Sequence, residues 1–134
     1  MNRKMLLILC TVLIGAGAAG CSGGDTSDAA VNSGTYVIDS DAAEGSFLPS
    51  ITLDETEQSF HIVYDPLSST YIGGTYATDG DVITCKTIDG DNTYLFRIGD
   101  EDTLTFIQNG SSELKPALEE FTVPVTDGSV FKLE

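Results

Sequence analysis

The stretch Ile72-Gly73-Gly74-Thr75-Tyr76-Ala77-Thr78-Asp79-Gly80-Asp81-Val82-Ile83-Thr84-Cys85 decides how this chain folds. Ile72, Gly74 and Tyr76 fall on alternate positions, as do Ile83 and Cys85, and Thr78-Asp79-Gly80-Asp81 stands between the two sets. Period-two alternation puts one row of side chains on one face of an extended strand, and an Asp-Gly pair between such rows is a hairpin turn. The stretch therefore predicts two antiparallel strands with a shared apolar face.

The same signature runs outward in both directions. Upstream, Tyr36 with Ile38, Ile51 with Leu53, and Phe60 with Ile62 and Tyr64 alternate in the same way. Downstream, Tyr94 with Phe96 and Ile98, Leu104 with Phe106, and Phe131 with Leu133 complete eight predicted strands. Asp89-Gly90-Asp91-Asn92 and Gly99-Asp100-Glu101-Asp102 supply further turns. Gly34-Thr35-Tyr36 recurs as Gly74-Thr75-Tyr76, Ile51-Thr52-Leu53 is echoed by Ile83-Thr84-Cys85, and Ser59-Phe60 by Thr93-Tyr94. Two copies of a four-stranded meander would make one eight-stranded sheet, and closing it would remove its exposed edges. An all-β fold follows, a small antiparallel barrel whose interior is just wide enough for side chains to fill.

Alternation lapses between Gln108 and Gly128. Ser112 to Glu120 is expected to form a turn of helix capped by Ser112, and Phe121 to Val125 to run extended. Such a segment is read either as a cap over the barrel mouth or as a plain covering of the sheet.

The chain begins with a different kind of sequence. Asn2, Arg3 and Lys4 are polar or basic, Met5 to Ile14 is mostly apolar, and Gly15 to Gly20 is glycine and alanine throughout. This is the layout of a secretory signal over residues 1–20. Its apolar run is about half the ~20 residues that a membrane-spanning helix needs. Ala18-Ala19-Gly20-Cys21 resembles the bacterial lipobox, which implies that Cys21 is lipidated and becomes the new N-terminus. Residues 21–32, small and polar, read as a flexible tether, and the folded domain is expected over 33–134.

Charge and cysteine bound the function. The formal net charge is −15, and loss of the signal removes Arg3 and Lys4 but no acid. The mature chain thus repels nucleic acid and anionic lipid. Of the three cysteines, Cys10 leaves with the signal and Cys21 is blocked by lipid. Cys85 remains as a single thiol, so the fold is held by an ordinary core without an intramolecular disulfide.

Taken together, Cys21, the tether and the two GTY strands resemble the small lipocalin-like barrels of bacterial lipoproteins. Phe60-His61-Ile62-Val63-Tyr64-Asp65 and Asp127-Gly128-Ser129-Val130-Phe131 extend the likeness across residues 33–134. Similar stretches occur in lipoproteins of Gram-positive bacteria and in extracellular domains of antibiotic-sensing membrane metallopeptidases. A more distant likeness is to the N-terminal barrel of NlpE-type lipoproteins. That family carries a CxxC pair after its first strand, which residues 39–49 here lack, so copper or thiol chemistry is not carried over.

Reactive groups are sparse. His61, the single histidine, is expected on the face opposite Phe60 and Ile62, pointing to solvent. Cys85 shares the apolar face with Ile83 and is expected in the core. No GxSxG elbow is present. Asp89 to Asn92 and Asp100 to Asp102 gather oxygen ligands of the kind calcium prefers, and also match plain hairpin turns. Tyr36, Tyr64, Tyr76 and Tyr94 would either line a pocket or pack the barrel with their hydroxyls at its rim.

The sequence thus predicts a monomeric, exported lipoprotein on the extracytoplasmic face of the cell membrane. It is expected to be a binding or interaction module and not an enzyme, without cofactor or metal, with an envelope protein as partner. The alternative is a small-molecule carrier with a lipocalin-type cavity.

Overall fold

The structure, a computed structural model, describes residues 31–67 and 72–134. The signal sequence, Cys21 and most of the tether lie outside these residues. The described chain forms eight strands: β1 (Gly34–Ile38), β2 (Ser50–Asp54), β3 (Ser59–Val63), β4 (Ile72–Asp79), β5 (Val82–Thr87), β6 (Thr93–Ile98), β7 (Thr103–Ile107) and β8 (Val130–Leu133). Each pairs antiparallel with the next, and β8 pairs back onto β1, so the sheet closes as an up-and-down barrel. Among the described residues, closure leaves no edge strand to pair with another chain.

Alternation does what the sequence predicts. Tyr36, Ile38, Ile51, Leu53, Phe60, Ile62, Ile72, Tyr76, Ile83, Cys85, Tyr94, Phe96, Leu104, Phe106 and Phe131 all point inward and form one buried core. At its centre the Phe96 ring meets Phe106 edge-on at 5.4 Å and Phe131 at 5.7 Å, joining β6, β7 and β8. Tyr64 lies just beyond β3 and, with Ile98 and Leu133, packs against the core half-buried.

The internal repeat spans three strands, not the four the sequence suggests. Its second copy begins in β4, so β1–β3 correspond to β4–β6, and β7 and β8 close the barrel outside the repeat. Leu53 faces Phe60 as Cys85 faces Tyr94, matching the copies. Tyr36, however, faces Ile51, whereas Tyr76 faces Cys85, a slip of two residues that keeps both tyrosines inside.

The glycines of the two GTY copies serve different ends. Gly34 has φ +142°, a conformation that side chains other than glycine rarely adopt. Gly74 instead gives room: a Cβ there would collide with the carbonyl oxygen of Lys86 and come within 2.9 Å of the Thr87 backbone on β5.

In such a meander, alternate connections open at the same end. The β2–β3, β4–β5 and β6–β7 turns share one end with the start of β1, here the tether end. The β1–β2, β3–β4, β5–β6 and β7–β8 connections share the other, the far end. Val31 and Asn32, expected in the tether, are already held: Val31 packs on the core, the Tyr36 hydroxyl donates to the Asn32 carbonyl at 2.8 Å, and the Asn32 side chain donates to Asp102 at 2.5 Å.

Candidate binding end of the barrel

The connection from β7 to β8 is the longest, and it crosses the far end. Ser111 and Ser112 fasten its outgoing arm beside β6. The Thr93 amide donates to the Ser112 hydroxyl at 3.1 Å, the Leu95 amide to the Ser111 hydroxyl at 2.8 Å, and the Ser112 amide to the Thr93 carbonyl at 2.7 Å. Leu114 and Pro116 are then buried. The amide of Ala117 donates to the buried carboxylate of Asp65 in the β3–β4 connection, which also accepts from Leu67 at 2.9 Å.

Thr122 next bridges in parallel to Phe47 of the β1–β2 connection. Phe47 donates to the Phe121 carbonyl at 2.6 Å and receives the Val123 amide at 3.0 Å. Val125 turns inward, and the Gln108 amide, donating to Asp127 at 3.0 Å, closes the segment at its base. With Leu114 and Val125 joining the core, this segment caps the mouth.

The expected helical turn at Ser112–Glu120 is corrected here. Only Glu119–Phe121 makes one 3₁₀ turn. Ser112 uses its hydroxyl to hold β6 and caps no helix, and Pro116, buried with Leu114, cannot donate to a helical ladder. Of the extended run predicted over Phe121 to Val125, Thr122 is extended and makes a single bridge, and Phe121 belongs to the 3₁₀ turn.

Between the arms of the cap lies an open cleft of about 460 Å³. Leu114, Pro116, Pro124 and Val125 give it apolar walls, and Glu113 and Glu119 place carboxylates on it. Lys115 pairs with Glu119 at 3.8 Å in an exposed contact. The Thr122 hydroxyl is buried with no hydrogen-bond partner.

The exposed large apolar side chains of the described residues are Leu48, Val63, Leu67, Ile88 and Phe121. Each one lies on a far-end connection or, for Val63, on the last residue of β3 at that end. Ile88 is tied there by its amide, which donates to the Gly73 carbonyl at 3.1 Å.

The sequence-predicted chemical groups are scattered, not gathered. His61 sits half-buried on the outer face of β3, opposite Thr52 and Gly73. Cys85 is fully buried, and burial pushes its thiol far above the ordinary value of 9.0. Burial also raises Tyr36, Tyr76 and Tyr94 above 10.0. For Tyr36 the Asn32 carbonyl partly offsets this, and for Tyr76 the nearby Glu55 carboxylate adds to it. Tyr36, Tyr76 and Tyr94 pack the barrel, which resolves the alternative left open for them; the Tyr76 hydroxyl is buried without a partner.

Asp89 spends its carboxylate inside its own turn. The Thr87 hydroxyl donates to it at 2.6 Å and the Asp91 amide at 3.0 Å, and these bonds hold it below the usual carboxylate value. Among the described residues no group of three or more His, Cys, Asp or Glu side chains is placed to hold a metal ion. None of the helices among them is long and apolar enough to cross a membrane.

Comparison with protein-family models, with curated proteins and with solved structures gives no match for this chain.

Asp65 and the far-end apolar residues escaped the reading of the sequence. The available signal was a large apolar residue beside turn formers: Leu67 follows Pro66, and Ile88 precedes Asp89-Gly90. Soluble turns rarely need one.

Proposed function

We propose that the protein is an exported lipoprotein, held through lipid on Cys21 at the extracytoplasmic face of the cell membrane, whose barrel acts as a non-catalytic binding module. The observation that carries this reading is the packed interior. Tyr36, Phe60, Phe96 and Phe106 are each at most 2% exposed, and all belong to the one buried core. Ligand recognition then falls to the outer surface and the cap. The same packing weighs against a carrier that would hold its cargo inside the barrel, where cavities of about 300 Å³ or more are usual for ligands.

The chemistry agrees with this reading. The buried thiol of Cys85 and the imidazole of His61 lie on different faces of the sheet, so neither activates the other. A diacylated Cys21 would anchor the chain stably, since each buried CH₂ contributes about 0.8 kcal/mol and two chains suffice.

Expression of Cys21→Ala beside the unaltered chain tests the anchor. The unaltered chain is expected in the membrane fraction and the variant in the extracytoplasmic fluid; retention of the variant on membranes would overturn the reading. Native mass spectrometry of the purified variant tests the module: a stoichiometric co-purified small molecule would favour the carrier instead.

A further inference from the structure

We propose that the far end of the barrel, cap and rim together, is the docking surface for a protein segment that carries both basic and apolar side chains. This rests on the reading of the chain as a binding module and assigns that module its face and its partner's chemistry.

Three observations converge on this end. The first is the asymmetry of exposed apolar surface. Ile88 is 81% exposed, Leu67 65% and Phe121 58%, and none of the described large apolar residues at the tether end is exposed. Concentrated apolar exposure on an otherwise polar protein marks a site of association.

The second is placement. Val31 and Asn32 enter the barrel at the opposite end, against Tyr36 and Asp102. The strands between are four to eight residues long, about 13–26 Å of strand at about 3.3 Å per residue, so the two ends are well apart. A tether attached at one end leaves the other facing outward.

The third is charge. Asp41, Glu44, Asp89, Asp91, Glu119 and Glu120 stand on the far-end connections, whereas Lys115 is the single base on them and is already paired with Glu119. A partner that covers Leu67, Ile88 and Phe121 with its own apolar side chains must bring positive charge to these carboxylates, or leave like charges facing each other. The cleft of about 460 Å³ between the arms of the cap offers such a segment a seat, apolar at Leu114, Pro116, Pro124 and Val125 and acidic at Glu113 and Glu119. A protein segment is favoured over a bilayer because anionic lipid would be repelled by the same carboxylates.

Three synthetic peptides of equal length, built from Leu and Lys, from Ser and Lys, and from Leu and Glu, test the proposal by calorimetry. The protein used is the whole chain carrying Cys21→Ala, which needs no detergent. The Leu/Lys peptide should bind, the Ser/Lys peptide at least tenfold more weakly, and the Leu/Glu peptide not measurably. The triple variant Leu67→Ser, Ile88→Ser and Phe121→Ser, confined to exposed side chains, should lose at least tenfold for the Leu/Lys peptide. Glu57→Gln with Asp79→Asn, at the tether end, should lose less than twofold.

Equal binding of the Leu/Lys and Ser/Lys peptides would reduce the effect to bulk charge and overturn the proposal. So would unchanged affinity of the triple variant. Binding of the protein to phosphatidylcholine vesicles, lost in the triple variant, would overturn it in favour of a membrane surface. None of these results touches the Cys21 anchor or the native mass measurement, so failure of the docking surface is distinguishable from failure of the binding-module reading.

Discussion

The buried carboxylate of Asp65 reaches from the β3–β4 connection to the backbone of Ala117, fifty-two residues onward, and accepts its amide. With Leu67 donating to the second oxygen at 2.9 Å, one buried side chain ties the cap to the barrel. Amide bonds to a carboxylate are stronger than neutral ones, and losing them costs about 1.5–3 kcal/mol.

Asp65→Ala is therefore expected to destabilise the protein by about 2–3 kcal/mol, and Asp65→Asn, which keeps one acceptor oxygen, by less. Urea denaturation gives the difference. Hydrogen exchange should show the loss first in residues 111–125, since the core strands keep their pairing.

Cys85 supplies a probe of global unfolding. Its thiol is fully enclosed and held neutral by burial, so an aromatic disulfide reagent should fail to label it in the native state and label it fully in denaturant. Rapid native labelling at neutral pH would contradict the packing of β5 against β4 and β6.

Alkaline pH should destabilise the fold in a definite order. Cys85, Tyr36, Tyr76 and Tyr94 are all raised above their ordinary values, so between those values and the raised ones the folded state binds more protons than the unfolded chain. The stability they contribute is fully present below pH 9.0, the ordinary thiol value, and drains as pH rises, with the tyrosines joining above 10.0. For Cys85 the slope is at most about 1.4 kcal/mol per pH unit. Urea midpoints between pH 7 and 10 should stay level and then fall, and Cys85→Ala should remove the earliest part of the fall.

Gly74 and Gly80 should respond very unequally to the same change. Gly74→Ala drives a Cβ into the β5 backbone at Lys86 and Thr87. The β4–β5 pairing must part, at a cost of about 3 kcal/mol or more. At Gly80, in the two-residue turn between Asp79 and Val82, an added Cβ would meet nothing within 4 Å, and φ is +65°. Gly80→Ala should cost only about 1 kcal/mol, the conformational penalty of a left-handed side-chain residue. Thermal melts of the two variants decide this.

A stabilising change is expected at the β6–β7 turn. Glu101 and Asp102 both adopt φ +56°, and glutamate gains nothing there. Glu101→Gly should raise stability by up to about 1 kcal/mol. A lower melting temperature would show that the Glu101 side chain has a role the backbone angle does not reveal.

The sequence by itself determined the strands and which face of each is buried. Tyr36 with Ile38, Ile83 with Cys85 and Phe60 with Ile62 were legible because strand geometry is local: alternate residues must point to opposite sides, and an apolar row has one stable place to go. Asp-Gly turns were legible for the same reason, since Gly80 and Gly90 answer a backbone demand set within four residues.

The tertiary structure alone decided what the cap does and where the exposed apolar residues gather. Ser112 reads locally as a helix cap, but the Thr93 amide, nineteen residues away, takes its hydroxyl. Asp65 reads as one acid among many until the chain returns to it at Ala117. Leu48, Leu67, Ile88 and Phe121 are scattered over seventy-odd positions of sequence, and only the alternation of connections around a closed meander brings them to one end. That clustering follows from closure of the sheet, a long-range property that no single stretch of residues encodes.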